Sequence, residues 1–273
     1  SYCIVPYARG LEKHYPKAQI IEETKRHLAA GCKEIVLLGQ IVNKHPEFTD
    51  IVKDILRLEW LERLRYTSPY PNFYSPELLQ LHETEEKLCP HIHIPFQSGS
   101  NTVLKSMRRG YTVEQAKEFI NNIRNLKRDI SITTDIIVGY PDETEEDFQA
   151  TLDLVEYGKF DMIYIGIYSP RPGTYAHKNH PDNIDRKTKR ARRDRLNELL
   201  KKTSQENNQK EIGQTRKVIV DTIDDNHIYG YIDNMKQITI KKKSEFKNNI
   251  WDFINVKITK AVPFKLYWEM IHN

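Results

Sequence analysis

Residues 163–168, IYIGIY, alternate strictly between isoleucine and either tyrosine or glycine. Successive side chains of a strand point to opposite faces, so the isoleucines share one face while Tyr164, Gly166 and Tyr168 share the other. A strand of an open parallel sheet with helices on both sides is apolar on both faces. The alternation therefore predicts a strand that packs on helices on one side and lines a polar cavity on the other, as in a complete or partial barrel.

A second stretch, HIHI at residues 91–94, repeats this pattern. His91 and His93 share one face, and Gln97 has the same parity, so we expect these side chains to form hydrogen bonds within the cavity. Two histidines at this spacing can share a zinc ion, but no third ligand is apparent nearby in the sequence. A pair of strands at a sheet edge is the alternative to the barrel.

The first 212 residues alternate between short apolar runs and longer segments of helical periodicity. Strands are predicted at residues 34–38, 63–67, 91–96, 130–138 and 160–168. Helix starts are indicated at Ser75, an N-cap followed by proline, and at Thr112, which has capping-box spacing to Gln115. Alternating strands and helices imply right-handed crossovers and a parallel sheet, so the predicted fold class is α/β.

The character of the chain changes after residue 185. The segment 186–202 concentrates arginine and lysine, which is typical of a solvated connecting helix. Beyond Gly213, short strands are predicted at residues 217–221, 227–232, 237–240 and 255–259, so we expect a small all-β domain. Its lysines alternate with tyrosine and tryptophan, a combination that suits RNA. We therefore predict an α/β core at residues 1–212 and a β domain at residues 213–273.

Composition narrows the class of protein. The 42 basic and 38 acidic side chains give a net charge of +4, too small an excess to indicate nucleic acid by itself. No run approaches the roughly 20 apolar residues of a membrane span, and no secretory signal is present. The three cysteines, Cys3, Cys32 and Cys89, do not make a disulfide framework, so we expect a cytoplasmic protein.

Five stretches of the chain form a specific series. They are YCIVPYARG at 2–10, LGQIVN at 38–43, QSGS at 97–100 followed by MRRGYT at 107–112, TDIIVG at 134–139 followed by ETEEDF at 143–148, and YSPRPGT at 168–174. Through them the chain resembles the radical S-adenosylmethionine (SAM) methylthiotransferases. It is most similar to the tRNA enzymes that convert isopentenyladenosine beside the anticodon to its 2-methylthio form. One departure is Asp142, where the family usually has glycine; aspartate tolerates turns.

The resemblance implies a radical SAM barrel, here partial, followed by a small β domain of the RNA-binding TRAM type. In this family a 4Fe-4S cluster is held by C-x-x-x-C-x-x-C, and Cys3 aligns with the third cysteine, which makes it the predicted metal ligand. An N-terminal domain of the family carries a second 4Fe-4S cluster. The resemblance leads us to expect that the first strand, two cluster cysteines and that domain are missing before Ser1. This chain alone is then expected to be an inactive fragment.

Further site residues follow from the resemblance and from the position of each motif. The residues expected to contact SAM are Gly39, Gln40, Ser98, Ser100 and Arg108. The residues expected to contact tRNA are Arg171, Arg190, Arg193 and Lys242. Each residue has an ordinary alternative as a turn, a helix cap or a solvated charge.

The predicted function is that of a tRNA methylthiotransferase that uses SAM both as radical source and as methyl donor. Two alternatives within the enzyme class stay open, namely threonylcarbamoyladenosine in tRNA and a ribosomal protein as the substrate. A non-catalytic tRNA-binding module is the alternative of another class. The expected partners are tRNA and an electron donor such as a flavodoxin or ferredoxin, with no membrane, and we expect a monomer.

Overall fold

The computed structural model describes residues 1–10, 12–242 and 249–268. Its helices are α1 (Val5–Arg9), α2 (Lys17–Ala29), α3 (Phe48–Leu56), α4 (Pro76–Thr84), α5 (Asn101–Ser106), α6 (Val113–Arg124), α7 (Glu145–Gly158), α8 (Tyr175–Asn179) and α9 (Arg186–Gln209). Its strands are β1 (Glu34–Leu37), β2 (Arg63–Tyr66), β3 (His91–His93), β4 (Ser131–Val138), β5 (Met162–Ile167), β6 (Thr215–Ile223), β7 (His227–Ile232), β8 (Gln237–Lys241), β9 (Phe253–Lys257), β10 (Lys260–Val262) and β11 (Lys265–Trp268). Short 3-10 turns lie at Val42–Lys44 and Pro71–Phe73.

Strands β1 to β5 run parallel and follow the order of the chain. β1 pairs with β2, and β3, β4 and β5 pair in succession. A parallel bridge between Leu64 and Leu88 joins the two groups. The predicted parallel α/β fold is therefore confirmed, and the strands occupy the predicted segments.

The two faces of this sheet differ as the alternation predicts. Ile92, Ile132 and Ile163 point to one face and are buried in a core shared with α6 and α7. Leu64 belongs to a second core with α3 and α4 on the same side. Polar side chains occupy the opposite face, so the sheet has the one-sided helical cover of a partial barrel.

Local signals in the sequence start the outer helices. The Ser75 hydroxyl accepts a hydrogen bond from the Leu78 amide at 3.0 Å, and Thr112 forms a full capping box with Gln115. Both predicted helix starts are thus confirmed. Within the described part of the chain, no helix is both long enough and apolar enough to cross a bilayer.

The C-terminal strands form one curled sheet in the order β10-β11-β8-β7-β6-β9. Its pairs are antiparallel except for β11 and β8, which run parallel. Gly230 on β7 packs closely against β6, since a Cβ there would stand 2.2 Å from the Ile219 carbonyl oxygen. The all-β character is confirmed, while β10 and β11 were not predicted. The last five residues of the predicted domain and residues 243–248 lie outside the described residues.

Helix α9 joins the two parts. Leu196 and Leu200 are buried in the core of the parallel sheet. Near its end, Gln205 and Asn208 donate side-chain hydrogen bonds to carbonyls of β10, at 3.2 and 2.9 Å. The C-terminal sheet is therefore packed against the α/β part, and the division at residues 212/213 stays a prediction.

Candidate functional site

The sheet face opposite the helices carries polar side chains from all five parallel strands. They are Glu34, Arg63, Arg65, His91, His93, Thr133, Asp135 and Tyr164. We call this surface the inner face. The register places His93 beside Thr133, and Asp135 beside Tyr164, so these four residues adjoin across three strands.

A chain of polar contacts crosses β3 and β4 on the inner face. His91 Nε2 and His93 Nδ1 lie 2.9 and 3.0 Å from the Thr133 hydroxyl oxygen, and His93 Nε2 lies 3.4 Å from an oxygen of Asp135. Burial lowers the pKa of His91 well below its usual range, so this imidazole is neutral. The predicted hydrogen bonds of both histidines are therefore present, and Thr133 is the partner that sequence reasoning missed.

Near the amino ends of the strands the inner face holds an ionic cluster. Arg65 Nε donates to Glu34 at 2.8 Å, and Arg63 lies 3.6 Å from the same carboxylate. Arg63 also donates to the Lys217 and Tyr231 carbonyl oxygens of the C-terminal sheet. The C-terminal sheet thus covers the inner face at this end, where the Arg63 side chain is 5% exposed, whereas that of Asp135, nearer the carboxyl end, is 37% exposed. Residues 63–66 alternate between arginine and an uncharged residue, and this pattern was a sequence signal that both arginines point to the inner face.

The segment around Cys3 lies at the carboxyl ends of β4 and β5. The Ser1 hydroxyl is 3.1 Å from the Tyr140 hydroxyl, and the Ser1 carbonyl accepts from the Ala176 amide at 2.9 Å. The Tyr2 hydroxyl accepts a hydrogen bond from Arg109 at 3.0 Å. These contacts leave Cys3 exposed at the end of the sheet where barrels carry their sites.

The other two cysteines lie elsewhere. Cys32 precedes β1 and Cys89 precedes β3, so both lie at the amino ends of the strands, and burial raises the pKa of the Cys89 thiol to about 12. Among residues 1–10, 12–242 and 249–268, no group of three histidine, cysteine or acidic residues could hold a metal ion. These residues therefore do not fit a 4Fe-4S cluster by themselves, because three thiolates are needed and Cys3 alone is in place.

Three of the residues predicted to contact SAM lie at the carboxyl side of the sheet. Gly39 and Gln40 are exposed directly after β1, and a Cβ on Gly39 would crowd the Val42 backbone at 3.0 Å. Arg108 follows α5, and its guanidinium lies 3.6 Å from the centre of the Tyr175 ring. Their contact with SAM stays a prediction.

The two predicted serines have structural partners instead. The Ser98 hydroxyl is 3.3 Å from the Thr151 hydroxyl, and the Ser100 hydroxyl donates to Asp147 while capping α5. Both side chains are buried against α7. Gly99 permits this approach, because a Cβ there would stand 2.4 Å from the Ala150 carbonyl oxygen. Their contact with SAM stays a prediction that their geometry does not support.

The residues predicted to contact tRNA are dispersed over the surface. Arg171 is exposed after β5, Arg190 and Arg193 are exposed on α9, and Lys242 donates from its ammonium to the Asp224 carbonyl oxygen at 3.1 Å. Three of the four thus have solvent-exposed side chains, as contact with phosphate requires. A cavity of about 600 Å³ between α4 and α6 is lined by none of the predicted site residues.

Sequence reasoning missed a buried ionic group behind the site. Arg192 donates to the Glu143 carboxylate at 2.8 Å and to its carbonyl oxygen at 3.0 Å, and the same carboxylate accepts from the Gly139 amide at 2.7 Å. Lys189 donates to the Tyr168 carbonyl oxygen at 3.3 Å. Helix α9 thus holds the loops that follow β4 and β5. The spacing of positions 189, 192, 196 and 200 along one helical face was the available signal.

Comparison with known proteins gives a consistent picture. The family model described as the radical SAM superfamily matches residues 1–155. A tRNA-2-methylthio-N(6)-dimethylallyladenosine synthase from Aliarcobacter butzleri is 38% identical over 287 residues, covering 100% of this chain and 64% of the relative. The synthase of the same name from Geobacter sulfurreducens is 41% identical over 280 residues, covering 99% of this chain and 62% of the relative. The chain thus spans less than two thirds of the length of either relative.

Solved structures agree on the fold. Coproporphyrinogen III oxidase from Escherichia coli has a TM-score of 0.55 to this chain at 16% identity, over 68% of this chain and 45% of that one. That protein is a radical SAM enzyme. At this identity the likeness concerns the fold alone.

Proposed function

The chain belongs to the radical SAM superfamily, and from this premise we propose that it is part of a tRNA methylthiotransferase that acts on C2 of N6-isopentenyladenosine. The observation that carries the proposal is the extent of its similarity to the two synthases. The alignment covers the α/β part and the C-terminal sheet alike, since it includes 99–100% of this chain. Neither relative is named for threonylcarbamoyladenosine or for a ribosomal protein.

Superfamily membership implies a 4Fe-4S cluster and SAM, which supply the radical chemistry when bound. We assign Cys3 as one cluster ligand, because it is the cysteine exposed at the carboxyl ends of the strands. Gly39, Gln40 and Arg108 lie on the same side of the sheet and are assigned to SAM. The second cluster of the methylthiotransferases and an electron donor such as a flavodoxin or ferredoxin belong to the same proposal.

The chain's own residues would orient the base and exclude water. The inner face is closed at its amino end by Arg63 and the C-terminal sheet, so a base enters from the carboxyl end. Arg171, Arg190 and Arg193 would contact phosphates outside this entrance. The β domain predicted at residues 213–273 would add RNA contacts through Lys242 and other lysines.

Nucleoside analysis tests this function. Deleting the gene should remove 2-methylthio-N6-isopentenyladenosine from tRNA and cause N6-isopentenyladenosine to accumulate, measured by liquid chromatography and mass spectrometry. Complementation with the complete deleted gene carrying Cys3→Ala should fail, whereas the same gene carrying Cys32→Ala, a change at another exposed cysteine, should restore the modification. Loss of the methylthio group from threonylcarbamoyladenosine instead, or unchanged tRNA, would refute the proposal.

A further inference from the structure

The C-terminal sheet and the α/β part are joined by one stretch of chain, residues 210–214, which connects α9 to β6. Gly213 in this stretch has a φ of +85°, and a Cβ there would meet open space. The backbone of the connection therefore does not by itself fix the angle between the two parts. Contacts between side chains across the junction have to set that angle.

Lys236 lies in the turn between β7 and β8 and reaches across this junction. Three acceptors surround its ammonium nitrogen, namely Asp161 Oδ1 at 3.3 Å, Glu211 Oε1 at 3.3 Å and the Asn207 carbonyl oxygen at 3.0 Å. An ammonium group has three N–H donors, so the acceptors match the donors in number. The Lys236 side chain is 10% exposed, whereas Lys241 of the same sheet is exposed. Lys236 is therefore built into the junction and is not a surface cation.

Asp161 is the partner on the α/β side, and the backbone of the parallel sheet holds it in place. It immediately precedes β5, and its Oδ2 accepts a hydrogen bond from the Ile132 amide of β4 at 3.0 Å. Its side chain is buried, and the other carboxylate oxygen, Oδ1, is the one that faces Lys236. The ion pair thus connects the C-terminal sheet directly to the neighbouring strands β4 and β5.

Glu211, which follows α9, extends the ionic network. Its Oε1 accepts a hydrogen bond from the Asn234 side chain at 2.8 Å, and its Oε2 lies 3.3 Å from Arg216 Nε of β6. Desolvation of buried charges offsets most of their attraction, so such a network adds little net stability. What it favours is one geometry, because a displaced sheet would leave Asp161 and Glu211 buried without the ammonium group between them.

Each of the two parts carries cations that we assign to tRNA, Arg190 and Arg193 on α9 and Lys242 in the C-terminal sheet. Two contact surfaces bind one RNA more tightly when their relative position is fixed, because the second contact then forms at a high effective concentration. We propose that Lys236 is a positioning residue for tRNA. With Asp161 it fixes the orientation of the C-terminal sheet, so that one tRNA contacts both surfaces at once. This inference rests on the proposed function and adds which ion pair aligns the two surfaces.

The test measures the dissociation constants of two fluorescent RNAs for the complete protein. One is a tRNA that carries N6-isopentenyladenosine, and the other is a single-stranded hexaribonucleotide, whose length suits one contact surface. Lys236→Met and Asp161→Asn should each weaken tRNA binding about tenfold. The double variant should bind no more weakly than either single variant, because both changes remove the same ion pair. Binding of the hexaribonucleotide should change by less than about twofold, since it does not depend on the alignment of two surfaces.

Asp161→Asn is the decisive variant. Asparagine keeps an acceptor for the Ile132 amide, and the change removes a negative charge, which by itself would strengthen the binding of a polyanion. Weaker tRNA binding by this variant therefore distinguishes a positioning role from direct phosphate contact by Lys236. The matched control is Asp153→Asn, the same change at an exposed position of α7, which should bind both RNAs as the parent protein does.

Thermal unfolding shows whether each variant folds, and Asp161→Asn alone decides the question if Lys236→Met does not fold. Unchanged or tighter tRNA binding by Asp161→Asn would refute the positioning role while the proposed function stands. An equal loss of affinity for the hexaribonucleotide would refute it as well, because the damage would then lie within one contact surface. If the parent protein does not bind tRNA, both proposals fail.

Discussion

The two faces of helix α9 carry the same kinds of residue and have different environments. Arg190 and Arg193 are exposed, while Lys189 and Arg192, each next to one of them in the chain, are buried. The buried pair continues a stripe that becomes apolar at Leu196 and Leu200. A basic segment therefore need not be uniformly solvated, because the helix period places neighbouring cations on opposite sides of the helix.

The buried face has a structural task that the exposed face lacks. Arg192 binds the Glu143 carboxylate, and Lys189 binds Asp182 and the Tyr168 carbonyl oxygen. Glu143 and Tyr168 lie in the loops after β4 and β5, at the carboxyl end of the sheet, and Asp182 lies between α8 and α9. We therefore expect substitutions on the buried face to change stability, and substitutions on the exposed face to change RNA binding alone.

The largest effect is expected for Arg192→Ala. It leaves the Glu143 carboxylate, which is 4% exposed, without its cationic partner. Breaking such a pair from one side costs about 3–5 kcal/mol in the free energy of unfolding. Urea denaturation measures the change, and Arg193→Ala is the matched control on the exposed face. Equal stability of the two variants would contradict a structural role that is confined to the buried face of α9.

The next effect concerns Gly139, which lies beneath Lys189. Its φ is +71°, and a Cβ would stand 2.3 Å from Lys189 Cγ. Gly173 also has a positive φ of +90°, yet a Cβ there would have open space. Both alanine variants carry backbone strain, so their difference isolates the contact with Lys189. Gly139→Ala should lower the free energy of unfolding by about 1–3 kcal/mol more than Gly173→Ala, and similar midpoints in urea would contradict this.

A smaller effect is expected for Lys189→Met. The methionine retains most of the packed length but removes the ammonium group that contacts Asp182 and the Tyr168 carbonyl oxygen. Asp182 is partly exposed and can be rehydrated, so the cost should be about 1 kcal/mol. Thermal unfolding of Lys189→Met and of Arg192→Ala compares how much each cation contributes to stability. A cost above that of Arg192→Ala would reverse the assigned order.

The exposed face should give no measurable change in stability. The double variant Arg190→Ala and Arg193→Ala is instead expected to weaken tRNA binding, because each phosphate contact contributes to counterion release. The slope of log affinity against log salt should become shallower by about 2. Titration at several salt concentrations measures this slope, and an unchanged slope would remove both arginines from the proposed interface.

Local patterns predicted the features that depend on neighbours in the chain. The alternation at residues 163–168 and 91–94 predicted a two-faced sheet, and the capping signals at Ser75 and Thr112 predicted helix starts. Contacts between distant segments were not predictable in this way. Ser98 and Ser100 are buried because α7 approaches Gly99, a contact between residues about 50 positions apart in the chain. Strand β11 was missed because it is short and its parallel partner is β8.

The sequence by itself determined the α/β character, the polar inner face, the family resemblance and the exposed Cys3 as the predicted ligand. Side-chain period and turn chemistry are local properties, so they can be read along the chain. Only the tertiary structure decided that Ser98 and Ser100 are buried against α7 and which loops Lys189 and Arg192 hold. Those outcomes depend on where a helix or strand meets a segment remote in sequence, since burial and pairing are created by packing.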